Sequence, residues 1–181
     1  MSIRAFVALE LGAAVRERLA GAIEDLRPRV SGVKWVRPEG IHLTLRFLGP
    51  SAPEALEQLR PLLARAAAAC PAADVPLSGF GLFPERGAPR VLWVSAVLPS
   101  AFLELQRACE SAAVCCGFDR EPRAFSPHLT LGRWRDRAAR PTLSPRDLGA
   151  ARLDKLALVS SDLRPGGAVY TPLASFPLAP R

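Results

Sequence analysis

The chain has two histidines, and both open the same four-residue phrase: His42-Leu-Thr44-Leu and His128-Leu-Thr130-Leu. Residues i and i+2 of a β-strand share one face, roughly 7 Å apart. In each phrase the imidazole and the hydroxyl therefore point one way and the two leucines the other. If a two-fold axis relates the phrases, two imidazoles and two hydroxyls converge on one point. Two imidazoles of ordinary pKa, about 6.5, suit a pair in which one takes a proton while the other gives one. Hydroxyls suit the hydrogen-bonding of oxygens on which charge builds. A phosphodiester matches that symmetry, because one group loses a proton as it attacks and another gains one as it leaves. No metal or other cofactor is needed.

Competing readings of the same residues are weaker. A single histidine in a strand is most often a satisfied core or surface residue, but a repeated His-x-Thr pair holding every histidine in the chain is not ordinary packing. A zinc site would need further ligands, and no Asp or Glu shares the repeated placement. A Gly-x-Ser-x-Gly turn and a phosphate-binding glycine loop are both missing from the sequence. The cysteines at 70, 109, 115 and 116 have no zinc-like spacing and read as packing residues. Strand alternation also places Arg46 beside His42 and Thr44. It places Arg133 on the opposite face, unless a bulge near Gly132 re-aims it.

The elements that must hold these residues are legible. Strands are expected at residues 3–10, 33–36, 41–48, 77–83, 90–98, 128–131, 153–160 and 169–176, the last two joined through 165–167. Gly49-Pro50 reads as a strand stop. Val15, Leu19, Ile23 and Leu26 form the stripe of one amphipathic helix, and Phe102, Leu105, Cys109 and Cys116 that of another, with Gly117 as its cap. Between them, Ser51-Ala-Pro-Glu54 resembles a capping box that opens a helix with Leu56, Leu59 and Leu63 on one side, which Pro61 should kink or shorten. Residues 118–127 and 135–149 read as polar loops. A shift of 86 residues lays one histidine phrase on the other, and Leu19, Ile23 and Leu26 on Leu105, Cys109 and Ala112. The expectation is one domain of two pseudo-symmetric lobes over 1–181, with an internal repeat of about 1–86 and 87–181.

At 181 residues and 49% hydrophobic content the chain is globular, and no apolar run is long enough to span a membrane. The N-terminus has no secretory pattern, so a cytoplasmic monomer is the expectation. The net charge of +7 is carried almost entirely by arginine, 22 residues against two lysines. That suits an anionic partner, although a coding bias towards arginine produces the same count. Phe47, Trp35 and Phe125 are compatible with base stacking, though each reads first as core.

The flanks of the histidine phrases carry a resemblance. Val33-Lys-Trp-Val-Arg-Pro-Glu-Gly-Ile-His-Leu-Thr-Leu-Arg-Phe-Leu-Gly49, Phe80-Gly-Leu-Phe-Pro84, Pro89-Arg-Val-Leu-Trp93 and Phe125-Ser-Pro-His-Leu-Thr-Leu-Gly-Arg133 resemble the RNA 2′,3′-cyclic phosphodiesterases of the 2H phosphoesterase superfamily, also called 2′-5′ RNA ligase-like proteins. Gly132 stands where many relatives carry alanine. The resemblance implies an α+β fold of two lobes, each an antiparallel sheet with helices packed outside, and a site in the cleft between them. It implies hydrolysis of RNA-terminal 2′,3′-cyclic phosphate to a 2′-phosphomonoester, with reverse 2′-5′ ligation open to the same site. His42 would be the proton donor to O3′ and His128 the base for water. Thr44 and Thr130 would hold phosphate oxygens, with Arg133 as a further phosphate contact. The near-symmetry of the phrases gives no independent choice of acid and base. Two alternatives stand beside this reading: a module that binds nucleotides or RNA ends without turnover, and a cyclic phosphodiesterase acting on a small nucleotide.

Overall fold

The computed structural model describes residues 2–165 and 167–180. Nine strands and three α-helices follow one another as β1 (Ile3–Leu9), α1 (Ala13–Leu26), β2 (Val33–Trp35), a 3-10 turn (Pro38–Gly40), β3 (Leu43–Ser51), α2 (Pro53–Ala69), β4 (Ala73–Phe83), β5 (Val91–Ala96), α3 (Ser100–Cys115), β6 (His128–Trp134), β7 (Asp147–Leu153), β8 (Lys155–Arg164) and β9 (Gly167–Pro177). Every strand pairing is antiparallel, in the order β7-β4-β5-β6-β3-β1-β8-β9, with β2 also on β6. This is the expected α+β class with antiparallel sheet. The sheet is nearly interrupted at its centre, where β3 and β6 share the single pair Leu43–Leu129.

That junction divides the strands into two sets, but not along the sequence repeat. β4 comes from the first half of the chain and lies with β5, β6 and β7. β8 and β9 come from the second half and lie with β1 and β3. The strand sets thus exchange elements between the two halves of the repeat. Hydrophobic burial explains the helices. Leu19, Ile23 and Leu26 of α1 and Leu105, Cys109 and Ala112 of α3, the six residues matched by the 86-residue shift, are all buried. α2 and α3 pack on each other, with α3 against β3 and α2 against β8 and β9, while α1 lies beside β7. There Arg18 Nε donates to the Leu148 carbonyl at 3.1 Å.

Several local expectations are corrected. β3 runs through Gly49-Pro50 to Ser51, with Arg4 opposite Pro50. Among the described residues no strand pairs with the far edge of β3 beyond Leu43, and such an edge stretch tolerates Pro50. Gly49 accommodates the irregularity at φ 71°. No capping box forms: Ala52 is the N-cap of α2, Pro53 opens the helix, and Ser51 Oγ donates to the Gly49 carbonyl at 3.0 Å. Pro61 sits inside a 17-residue helix without ending it. Its side chain is exposed, and the buried stripe of Leu56, Leu59 and Leu63 holds the helix across it. The polar stretch 135–149 ends in β7, which pairs with β4 through Asp147–Leu153. Of the 165–167 turn, Gly166 lies outside the described residues. Cys70 and Cys109 are buried, and burial pushes the Cys109 thiol up to about 12. Among the described residues no helix is long and apolar enough to cross a membrane.

Candidate active site

Leu43 and Leu129 face each other, so the antiparallel relation about that pair sets His42 level with Thr130 and Thr44 level with His128. Each imidazole is thus brought towards the hydroxyl of the other phrase. Leu43 and Leu129 are both within 1% of complete burial, on the helix-covered face of the sheet. The opposite face has its own small apolar cluster of Phe6, Ala8, Ala157 and Val159, with Tyr170 against it. Both histidines stand on this second face. His42 stacks on Phe6 (centroids 4.5 Å apart) and meets Tyr170 in a T-shaped contact at 5.0 Å. His128 meets Phe83 edge-on at 5.1 Å, and Phe83 is stacked on Trp93 at 4.9 Å. That stack requires Gly81, since a Cβ there would lie 2.1 Å from the Trp93 ring.

Backbone carbonyls fix both rings in the same way. His42 Nδ1 lies 2.8 Å from the Gly40 carbonyl, and His128 Nδ1 lies 2.7 Å from that of Ser126. A carbonyl only accepts, so each Nδ1 carries the proton and each Nε2 is the free nitrogen of the neutral ring. Burial pushes the pKa of His42 down to about 4, with Arg133, Arg16 and His128 adding to the effect against the Gly40 carbonyl. Burial also lowers the pKa of His128, with Arg133 as its charged neighbour. Both imidazoles therefore favour the neutral form in the free protein, unlike the unperturbed pair that composition suggests.

The two arginines exchange their expected places. β1 pairs Ala8 with Thr44 and Val7 with Arg46, so Leu45 is an extra residue in β3. Alternation reverses there. Arg46 turns to the helix side, 6% exposed, where Nε meets Glu110 of α3 at 2.5 Å and the guanidinium donates to the Asp119 carbonyl. Its expected position beside His42 and Thr44 is corrected by this bulge. Phe47 takes the site face instead, opposite Phe6 and 47% exposed. In β6 the corresponding extra residue is Leu131, between Thr130 opposite Trp93 and Gly132 opposite Leu92. It brings Arg133 to the site face, within electrostatic reach of both histidines. Phe47 and Arg133 are thus counterparts, 86 residues apart. Trp35 and Phe125 are partly buried against the main core, which is the packing reading.

Phe6, Arg16 and Tyr170 belong to the surroundings of the histidines but did not stand out in the sequence, whereas Phe83 and Trp93 lie in segments that carry the resemblance without a role assigned to them. The alternation of β1 was the available signal for Phe6. Tyr170 had none, because β9 reaches His42 only through β8 and β1. Among the described residues no group of three or more His, Cys, Asp or Glu is placed to hold a metal. Two surface concavities of about 310 and 410 Å³ lie elsewhere, lined by residues of α1 and β2 and by residues 117–122, and neither contains a histidine.

An antiparallel α+β sheet that presents two His-x-Thr strands about a pseudo-two-fold junction defines the class of the 2H phosphoesterases. Comparison with known proteins narrows this. The family model described as the 2′-5′ RNA ligase superfamily matches residues 15–164, and the chain belongs to that family. It is 36% identical over 186 residues to the RNA 2′,3′-cyclic phosphodiesterase of Thermus thermophilus, covering 97% of this chain and 90% of that one. It is 30% identical over 185 residues to the protein of the same name from Methanothermobacter thermautotrophicus, covering 98% and 100%. Among solved structures, Escherichia coli LigT complexed with 3′-AMP superposes with a TM-score of 0.84 at 27% identity, covering 98% of this chain and 99% of that one.

Proposed function

We propose that this chain hydrolyses the 2′,3′-cyclic phosphate at RNA ends to a 2′-phosphomonoester, by acid and base catalysis at His42 and His128. The observation that carries the reading is the matched pair of rings, each with Nδ1–H spent on a backbone carbonyl two residues earlier and Nε2 left free. The names of the relatives support the substrate, and the LigT complex with 3′-AMP supports a nucleotide in the site. Neutral His128 takes a proton from water at Nε2 as the water oxygen attacks phosphorus. The P–O3′ bond breaks, and O3′ takes the Nε2 proton of His42. Thr44 and Thr130 donate to the non-bridging oxygens, and Arg133 balances the phosphate charge. Phe47, exposed on the same face, offers a surface for the base. Every one of these groups comes from one chain, so a monomer suffices, and an RNA substrate fits the expected cytoplasmic location. Reversal of the same steps would join a cyclic phosphate to a 5′-hydroxyl as a 2′-5′ bond.

The test is an oligonucleotide ending in a 2′,3′-cyclic phosphate, incubated with the enzyme in excess EDTA. Quantitative conversion to the 2′-phosphate is expected, because both proton transfers are assigned to imidazoles. Loss of turnover in EDTA, restored by zinc or manganese, would assign the reaction to a metal instead. Tight binding with no turnover under either condition would leave the protein a binding module.

The pH profile follows from the electrostatics. The acid must be protonated, yet in the free protein the pKa of both imidazoles lies below 6.5, with His42 at about 4. The competent form is therefore lost as pH rises through values below 6.5. A bound phosphodiester anion offsets Arg133 and Arg16 and favours the imidazolium. kcat/KM, which reports the free enzyme, should peak on the acid side of 6.5, and kcat at higher pH. Both profiles belong to the pair rather than to either residue. Coincident profiles centred above pH 7 would contradict the electrostatic account.

One observation favours the reverse division of labour. Burial lowers both rings, and it pushes His42 down to about 4, with Arg133 and Arg16 disfavouring its charge, whereas Arg133 is the arginine that acts on His128. In the free protein His128 is thus the easier ring to protonate. The resemblance assigns the donor to His42, and the leaving-group experiment in the Discussion separates the two.

A further inference from the structure

Lys34 is one of two lysines in a chain with 22 arginines, and the other, Lys155, lies 3.8 Å from Glu10. Lys34 on β2 is the direct cross-strand partner of Arg133 on β6. The flanking residues fix which way both point. A Cβ on Gly132 would lie 2.3 Å from Val33 Cγ1 and 3.4 Å from the Trp35 ring, so Val33 and Trp35 share the face to which Gly132 belongs. Lys34 and Arg133 alternate to the other face, the one that carries the histidines. Two like charges directly opposite on a sheet repel. Neither makes a salt bridge among the described residues. The start of β9 closes the far side, where a Cβ on Gly167 would lie 3.9 Å from Lys34 Nζ.

An unpaired cationic pair of this kind is relieved by an anion held along it. Arg133, on the site face and within electrostatic reach of both imidazoles, is placed for the scissile phosphate. Lys34 lies across from Arg133, about 4.8 Å away, on the edge of β6 that β3 leaves after Leu129. In an RNA end the next anion along the chain is the phosphate on the 5′ side of the terminal nucleotide. We propose that Lys34 is the seat of that 5′-phosphate, so the enzyme selects terminal nucleotides that continue into a chain over free nucleoside cyclic phosphates. The inference rests on the cyclic phosphodiesterase reading and specifies its substrate.

The experiment compares a nucleoside 2′,3′-cyclic phosphate with the same compound carrying a 5′-phosphate. The wild type should prefer the second in kcat/KM by about ten-fold or more, as one charge-assisted contact permits. Lys34→Met should reduce that preference about ten-fold, through KM rather than kcat, and Lys34→Arg should restore it. A preference unchanged in Lys34→Met, or an equal loss on both substrates, overturns the proposal. Calorimetric binding of adenosine 2′-phosphate and adenosine 2′,5′-bisphosphate repeats the comparison without turnover. If no cyclic phosphate is hydrolysed, the catalytic reading fails, and the bisphosphate comparison still judges Lys34. Equal affinity of the wild type for the two ligands would reject it.

Discussion

His42→Ala and His128→Ala should each lower cleavage of a cyclic-phosphate RNA end by about 10²–10⁴-fold, the range for loss of a positioned acid or base. The double variant should be little worse than the poorer single one, because residues that act as a unit are not additive. Neither ring anchors the main core, so thermal unfolding should stay cooperative in both variants. A substrate whose leaving group needs no proton, such as a 3′-linked p-nitrophenyl phosphodiester, should partly rescue the variant that lacks the acid. Rescue of His42→Ala fits the donor role that the resemblance gives it. Rescue of His128→Ala would reverse the assignment, in line with the easier protonation of that ring, and leave the chemistry intact. Full activity of either single variant on the cyclic substrate would refute two-histidine catalysis.

Thr44→Val and Thr130→Val should each cost roughly 2–4 kcal/mol of transition-state stabilisation, the scale for one donor to a developing oxyanion. Valine keeps the branched shape that suits a strand, so the fold should hold. Pairing makes the prediction stricter. Thr44 is level with His128 and Thr130 with His42 about the Leu43–Leu129 junction. Combining Thr44→Val with His128→Ala should therefore show strong non-additivity in a double-mutant cycle, as groups around one phosphate must. Near-wild-type kcat in both valine variants would make the hydroxyls structural.

The chemistry was legible in the sequence because it sits in a repeat. Two histidines with identical neighbours specify a pair, and strand alternation puts each beside its threonine. The helix stripes were legible for the same reason, since Leu19 and Leu105 obey the 3.6-residue period. What alternation cannot supply is the point at which it fails. Leu45 and Leu131 are ordinary apolar strand residues, and only the ladder to β1 or β5 makes them supernumerary. Hence Arg46 was expected in the site and is bound to Glu110. Arg133 was conditional on a bulge that does occur. Pro50 and Pro61 mislead for different reasons: Pro50 lies on a stretch of β3 with one free edge, and at Pro61 the burial of Leu56, Leu59 and Leu63 outweighs the helix bond that proline removes. The exchange of β4 and β8–β9 between the two strand sets depends on pairings across most of the chain, which no local pattern encodes.

That exchange bears on how the protein is made. Val7 pairs with Leu158, and Tyr170, which meets His42 in a T-shaped contact, arrives later still. While the ribosome is still translating, a nascent chain can expose both histidine phrases and have β1 and β3 in hand, yet lack the strand that flanks β1. Strands whose partners lie so far along the chain must wait for loop closure. The wall around His42 is therefore completed only after β8 and β9 emerge. Until then the edge of β1 stays open to the contacts that unpaired edges invite. The residues placed to do the chemistry thus precede, in the chain, the strands that enclose them.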